Sequence, residues 1–214
     1  MVVLENIEKT YQDSKRRIDA LHSVNLHIDQ GEFVVLCGPS GCGKTTLLMT
    51  IAAMLRPTRG TVRVSQRDIY AMSIRKRAGF RTDNIGFVFQ MFHLIPYLNV
   101  IENVLLAGRE KKSTRAQDLL TRFGLAERFS HNPAQLSAGE KQRVAIARAL
   151  FNNPKIILAD EPTGNLDPDN ASVVLGYLSE FHRAGGTVIL ASHGTQPLEY
   201  ANRTVYLRNG RVVD

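Results

Sequence analysis

The run Gly38-Pro39-Ser40-Gly41-Cys42-Gly43-Lys44-Thr45-Thr46 carries the densest chemistry in this 214-residue chain. Its spacing, G-x-x-x-x-G-K-T, suits a loop whose backbone N–H groups turn inward around phosphate oxygens, where side chains would collide. Lys44 is then placed to reach β- and γ-phosphates, and Thr45 to offer its hydroxyl to Mg²⁺. A compact apolar run, Phe33-Val34-Val35-Leu36, reads as a buried strand before the loop. The apolar helical pattern over 44–55 follows it and adds the positive end of a helix dipole. That context separates the loop from a glycine-rich packing turn. The ligands to expect are ATP and Mg²⁺.

Two further groupings could complete such a site. Ile156-Ile157-Leu158-Ala159 reads as a buried strand that ends on the adjacent carboxylates Asp160 and Glu161. Ligands of open α/β sheets bind at that end of the strands. Asp160 is suited to the Mg²⁺ shell, and Glu161 to orienting or deprotonating the attacking water. Leu136-Ser137-Ala138-Gly139-Glu140 has the spacing of a capping box, in which Ser137 and Glu140 satisfy each other's backbone N–H groups. It reads equally as a plain helix cap and as an anion site at a helix N-terminus.

The elements that must position these groups alternate between strands and helices. Short strands are expected at 2–4 and 26–28, with others at 61–64, 85–89, 156–159 and 187–191. From 91 to 150 strand signals stop and helix signals recur. Asn99 with Glu102 forms a second capping box, and Ser113 is expected to cap a helix that Gly124 ends. A helix is expected near 172–182, and Asn209-Gly210 should close a terminal hairpin. The fold class is therefore α/β: a P-loop NTPase core with an antiparallel β subdomain and an inserted α-helical subdomain. Residues 1–90 and 151–214 would form the core and 91–150 the helical subdomain, all within one domain spanning 1–214.

Composition excludes more than it assigns. No apolar run approaches the roughly 18 residues that a membrane span needs, and the N-terminal residues lack the pattern of a signal peptide. Cys37 and Cys42 are too close to staple a fold, which suits a reducing cytosol. The net charge of +7 is concentrated between Arg56 and Arg81. That stretch reads either as a solvated face or as a surface for acidic lipid headgroups. It lacks interleaved aromatic residues for stacking bases, so no nucleic acid partner is expected. Cys42 reads as a tolerated small residue, and ATP in the loop should shield it from alkylation.

In order along the chain, the phosphate loop, Gln90, 136–150, Asp160-Glu161, Asn165-Leu166-Asp167 and His193 resemble the ATP-binding-cassette (ABC) ATPases. The likeness covers nearly the whole chain, and Leu-Ser-Ala-Gly-Glu is similar to that family's signature. The resemblance implies a homodimer of nucleotide-binding domains paired head to tail. ATP would lie between the loop of one copy and Ser137 and Gly139 of the other. It also implies that Tyr11 stacks on adenine, Gln90 touches Mg²⁺ or the water, Asp167 lies at the dimer seam, Glu161 is the base and His193 bonds the γ-phosphate. Ala138, Glu140 and Gly194 depart from the usual pattern. A positive φ at Ala138 would strain its methyl group.

The same resemblance implies a separate integral membrane (permease) subunit as partner, with the chain cytoplasmic and peripheral on the inner face of the cell membrane. Phe92, Leu94, Ile95, Pro96, Tyr97 and Leu98 either line a groove for that subunit or pack between lobes. The 161–167 and 86–90 segments look most like the lipoprotein-release and macrolide-export subgroup. That subgroup implies export, lipoprotein release or mechanotransmission. The alternatives are an importer ATPase, a soluble ABC ATPase of DNA repair or translation, and an ATP-binding module without turnover.

Overall fold

In the computed structural model, which describes residues 1–213 apart from 14–15, 109–111 and 195, the strands sort into two sheets. A long hairpin, β1 (Val2–Asp13) and β2 (Arg16–Ile28), buries Val2, Leu4, Ile7, Leu21, Val24 and Ile28. These strands far outrun the short ones expected from sequence. Register shifts between Leu4 and Thr10 interrupt the in–out alternation by which a strand is recognised. The antiparallel pairing continues from β1 to β4 (Arg59–Val64) and on to β5 (Arg67–Asp68), in the order β2-β1-β4-β5.

The second sheet contains β3 (Phe33–Cys37), β6 (Ile85–Val88), β7 (Ile156–Asp160), β8 (Thr187–Ser192), β9 (Arg203–Arg208) and β10 (Arg211–Val213). Their order is β10-β9-β3-β8-β7-β6, and all neighbours run parallel except the terminal hairpin. Asn209 and Gly210 close that hairpin with φ of 48° and 72°, the left-handed pair that a tight hairpin turn needs.

Alternate residues of the parallel strands divide between two apolar clusters. Val34, Leu36, Ile156, Leu158, Ile189 and Ala191 join the first sheet and helix α1 (Lys44–Ile51) on one side. Phe33, Val35, Ile157, Ala159, Val188 and Leu190 face helices on the other. Both faces are covered, which is why these strands read as unbroken apolar runs.

Helix α2 (Ile74–Asn84) leads into β6 and buries only Phe80, so its sequence shows no apolar period. The second cluster includes residues from α3 (Val100–Leu105), α4 (Ser113–Arg122), α5 (Ala138–Leu150) and α6 (Pro168–Arg183). The capping boxes at Asn99 and Ser137 form as expected. Ser113 does not cap α4: it is the first helical residue, and Lys112 takes the cap position, with no side chain capping the helix. Helix α6 begins earlier than expected, because Asp167 caps it and Pro168 fits its first turn.

Candidate active site

Parallel strands leave the central sheet by the same edge, so the segments after β3, β6, β7 and β8 share it. Between β3 and β8 the chain order breaks, and a ligand crevice opens at such a point. The phosphate loop, Gln90, Asp160-Glu161 and His193 all lie at or just past these strand ends.

Gly43 caps α1 with φ of 109°, and an added Cβ would lie 2.7 Å from the Ala20 carbonyl oxygen. Only glycine fits there. No side chain caps α1 and no acidic residue occupies its first turn. The first helix bond is Leu47 N–H to Gly43 O at 2.9 Å, which leaves the N–H groups of Lys44, Thr45 and Thr46 without helix partners. A Cβ on Gly41 would meet nothing within 4 Å, so the loop has an open side. Unsatisfied donors beneath open space fit a phosphate group.

Lys44 is buried, and its Nζ donates to Gly38 O at 2.7 Å and Pro39 O at 3.2 Å. The same ammonium lies 3.9 Å from Glu161 Oε1. Thr45 Oγ1 donates to Asp160 Oδ1 at 3.1 Å. Burial, helped by the neighbouring Glu161, pushes the Asp160 carboxyl above its ordinary value, although the Thr45 bond opposes the shift. Among the described residues no cluster of three or more Asp, Glu, His or Cys could hold a metal alone. The donor set of Thr45 and Asp160 fits Mg²⁺ that brings phosphate oxygens with it, the usual manner for this ion.

Glu161 has φ of 45°, a left-handed conformation that a non-glycine residue holds only under constraint. Its N–H donates to Ala191 O at 2.9 Å, and its Oε2 lies 3.0 Å from His193 Nδ1. A cavity of about 290 Å³ opens beside this pair, with Gly164 and Ser192 also in its wall. A Cβ on Gly164 would lie 3.4 Å from Gln90 Nε2 and 3.6 Å from Glu161 Oε2, so the glutamine amide borders the same carboxylate. Tyr11 sits on β1 with its ring half exposed and its hydroxyl 3.3 Å from Thr46 Oγ1.

Ser137 and Gly139 make their contacts elsewhere. Ser137 Oγ accepts from Glu140 N–H at 3.2 Å, and Ser137 N–H donates to Glu140 Oε2 at 2.8 Å. A bond from Arg128 to its other oxygen holds the Glu140 carboxyl below its usual range. An added Cβ on Gly139 would lie 2.2 Å from Asn170 Oδ1, so this glycine lets α5 approach α6 closely. Asp167 accepts from Asn170 N–H at 3.0 Å and from Asn170 Nδ2 at 2.7 Å. These two bonds depress its carboxyl.

The structure bears on three of the readings from sequence. Cys42 is buried, with its Sγ 2.7 Å from the place of a Gly38 Cβ, so its shielding does not depend on a ligand. Ala138 is an ordinary first helical residue and has no positive φ. Of the 92–98 cluster, Leu94 packs against the second apolar cluster, while Tyr97 is 81% exposed.

Part of the basic stretch contacts the chain itself. Arg56 and Arg77 both lie over the Tyr70 ring, Arg63 pairs with Glu5 at 3.0 Å, and Arg81 donates to Ala53 O at 3.2 Å. Sequence reasoning passed over Arg148, which reaches the segment after Gln90. Its signal was a lone arginine within the apolar run 144–150. Among the described residues no helix is long and apolar enough to cross a membrane.

A sequence profile described as ABC transporter matches residues 21–164. The chain is 44% identical to the lipoprotein-releasing system ATP-binding protein LolD of Geobacter metallireducens, over 97% of this chain and 96% of that protein. It is 42% identical to the macrolide export ATP-binding/permease protein MacB of Chlorobaculum tepidum, over its own full length and 34% of MacB. The ATP-binding cassette MJ0796, solved as a dimer in a post-hydrolysis state with ADP and Pi, superposes with a TM-score of 0.93. The identity is 41%, over 100% of this chain and 97% of that one.

Proposed function

The chain belongs to the ABC transporter family as an ATP-hydrolysing, ATP-binding subunit, and from that premise we propose how its residues share the work. Gly38–Thr46 cradles the phosphates, with Lys44 leaving its loop carbonyls for β- and γ-phosphate oxygens. Tyr11 stacks on the adenine. Glu161 takes a proton from the water that attacks the γ-phosphorus; the bond to the bridging oxygen breaks, and ADP and phosphate leave. His193 orients Glu161 and meets the γ-phosphate. Thr45, Asp160 and Gln90 would hold Mg²⁺, which neutralises charge building on the phosphate oxygens.

A second copy completes the site head to tail, with its Ser137 and Gly139 closing on the γ-phosphate. The partner is a separate membrane subunit at the inner face of the cell membrane, and the work is export, lipoprotein release or mechanotransmission. Residues 91–150 act as the helical lobe that meets this subunit. The likeness to LolD and to the cassette third of MacB supports that subgroup.

One observation carries the reading: the Glu161 carboxylate stands between Lys44 and His193 at the sheet edge. Glu161→Gln should bind ATP within about twofold of wild type but release phosphate about 10²–10⁴ times more slowly, the usual worth of a positioned base. It should also pair into dimers when ATP is added. Phosphate release at the wild-type rate would remove Glu161 from the role of base.

A further inference from the structure

The segment after Gln90 holds a conformation that the roles above leave unexplained. Phe92 and His93 have successive φ values of 56° and 47°, both left-handed and neither glycine. Such residues persist only where the surroundings impose the geometry. Here the surroundings are the guanidinium of Arg148. Its Nη2 donates to Phe92 O and its Nη1 to His93 O, each at 2.6 Å. A rigid planar fork suits two successive carbonyls; a lysine ammonium on a flexible stem does not. The His93 ring then meets Phe89 edge-on at 4.8 Å between centroids.

Gln90 is anchored from the other direction as well. Asn165 Nδ2 donates to Gln90 O at 3.2 Å. The glutamine therefore hangs between the segment ahead of α6 and the last turn of α5. Arg148 belongs to a helix with little freedom of its own, because Val144, Ala145, Ile146 and Ala147 are all buried. The N-cap of that helix, Ser137, lies about 16 Å away along the axis.

We propose that Arg148 is a positioning residue that fixes Gln90 to α5 through the paired carbonyls of Phe92 and His93. Gln90 then follows the helix whose other end carries Ser137 and Gly139. The inference rests on the role proposed above for Gln90 at the metal.

The test measures turnover and nucleotide binding separately for Arg148→Met and Arg148→Lys. Arg148→Met should lower kcat at least tenfold while the Kd for a fluorescent ATP analogue stays within twofold. Arg148→Lys should fall between it and wild type, and it carries the comparison if the methionine variant melts early. Asn152→Ala is the structural control: it removes a bond to Ala107 O near the same helix end and should leave kcat unchanged. In a Gln90→Ala background, Arg148→Met should cost less than a further twofold, because its effect runs through Gln90.

A kcat within twofold of wild type, a Kd that worsens as much as kcat, or a full additional loss in the Gln90→Ala background would each overturn the proposal. An equal loss in Asn152→Ala would do the same. A Gln90→Ala variant with wild-type turnover would instead sink the role given to Gln90. Failure of Glu161→Gln to pair with ATP would sink the head-to-tail reading and leave the cycle standing.

Discussion

Gly139→Ala tests the helix start that is proposed to meet the partner's phosphate. The new Cβ would lie 2.2 Å from Asn170 Oδ1 and 2.5 Å from its Cγ. Ordinary contact between such atoms begins near 3.5 Å, so the amide must retreat by about 1 Å. It is tethered against that retreat: its Nδ2 donates to Asp167 Oδ2 at 2.7 Å, and Arg143 Nη1 lies 3.4 Å from its Oδ1. Overpacking of this kind costs about 1–3 kcal/mol. Exchanging glycine for alanine in a helix returns at most about 1 kcal/mol, and less near the helix start. The cost wins by about 1–2 kcal/mol, which lowers Tm by roughly 2–8 °C for a chain of this size.

A thermal cycle over Gly139→Ala, Asn170→Ala and the double variant measures this directly. Truncating Asn170 removes the atoms that the methyl group meets. In that background the alanine penalty should disappear, giving a coupling of about 1–2 kcal/mol. ATP-dependent pairing in the Glu161→Gln background supplies the second readout. The double variant should be as stable as Asn170→Ala alone and should pair as that variant does, because the methyl group faces α6 and its effect on the helix start runs through Asn170. A Gly139→Ala protein as stable as its parent would refute the packing argument. So would a penalty that persists in full without Asn170.

The Asp160 carboxyl, raised chiefly by burial above its ordinary 3.8, keeps its proton to higher pH in the folded chain than in the unfolded one. Stability is therefore lost as pH climbs from about 4 through that raised value, and the loss remains at neutral pH. Asp160→Asn should melt higher than wild type at pH 7, converge with it near pH 4, and fail to hydrolyse ATP; a lower Tm at pH 7 would contradict the burial argument. Cys42, buried against the loop, should react slowly with iodoacetamide both with and without MgATP; fast labelling of the nucleotide-free protein would place it at the surface.

Geometry tied to a short local pattern was readable from sequence, and geometry tied to packing was not. The phosphate loop, Asp160-Glu161 and both capping boxes each depend on neighbours within a few residues, and each forms where the spacing put it. The hairpin of β1 and β2 was only half visible, because its bulges scramble the two-residue period. Helix α2 was missed because a helix that buries a single side chain has no apolar stripe to detect. The environment of Cys42 depends on the distant turn at Gly210, whose N–H donates to Cys42 O at 3.0 Å. Arg148 was missed for a similar reason: its partners lie 55 and 56 residues away and are backbone carbonyls, which have no residue type to read.

In the structure Lys44 satisfies its charge on the chain itself, between two loop carbonyls and the Glu161 carboxylate. The other oxygen of that carboxylate meets His193. A phosphate entering the loop offers Lys44 more negative charge than neutral carbonyls do, so it competes directly for the ammonium. If Lys44 turns to phosphate as proposed, Glu161 keeps only the histidine beside it. On the role proposed above, the carboxylate would then face the attacking water with the histidine alone beside it. The strained backbone at Glu161 is tolerated because Ala191 O and His193 hold it from β8 and the segment that follows. The carboxylate proposed as the base is thus held from the sheet, while its cationic neighbour belongs to the loop.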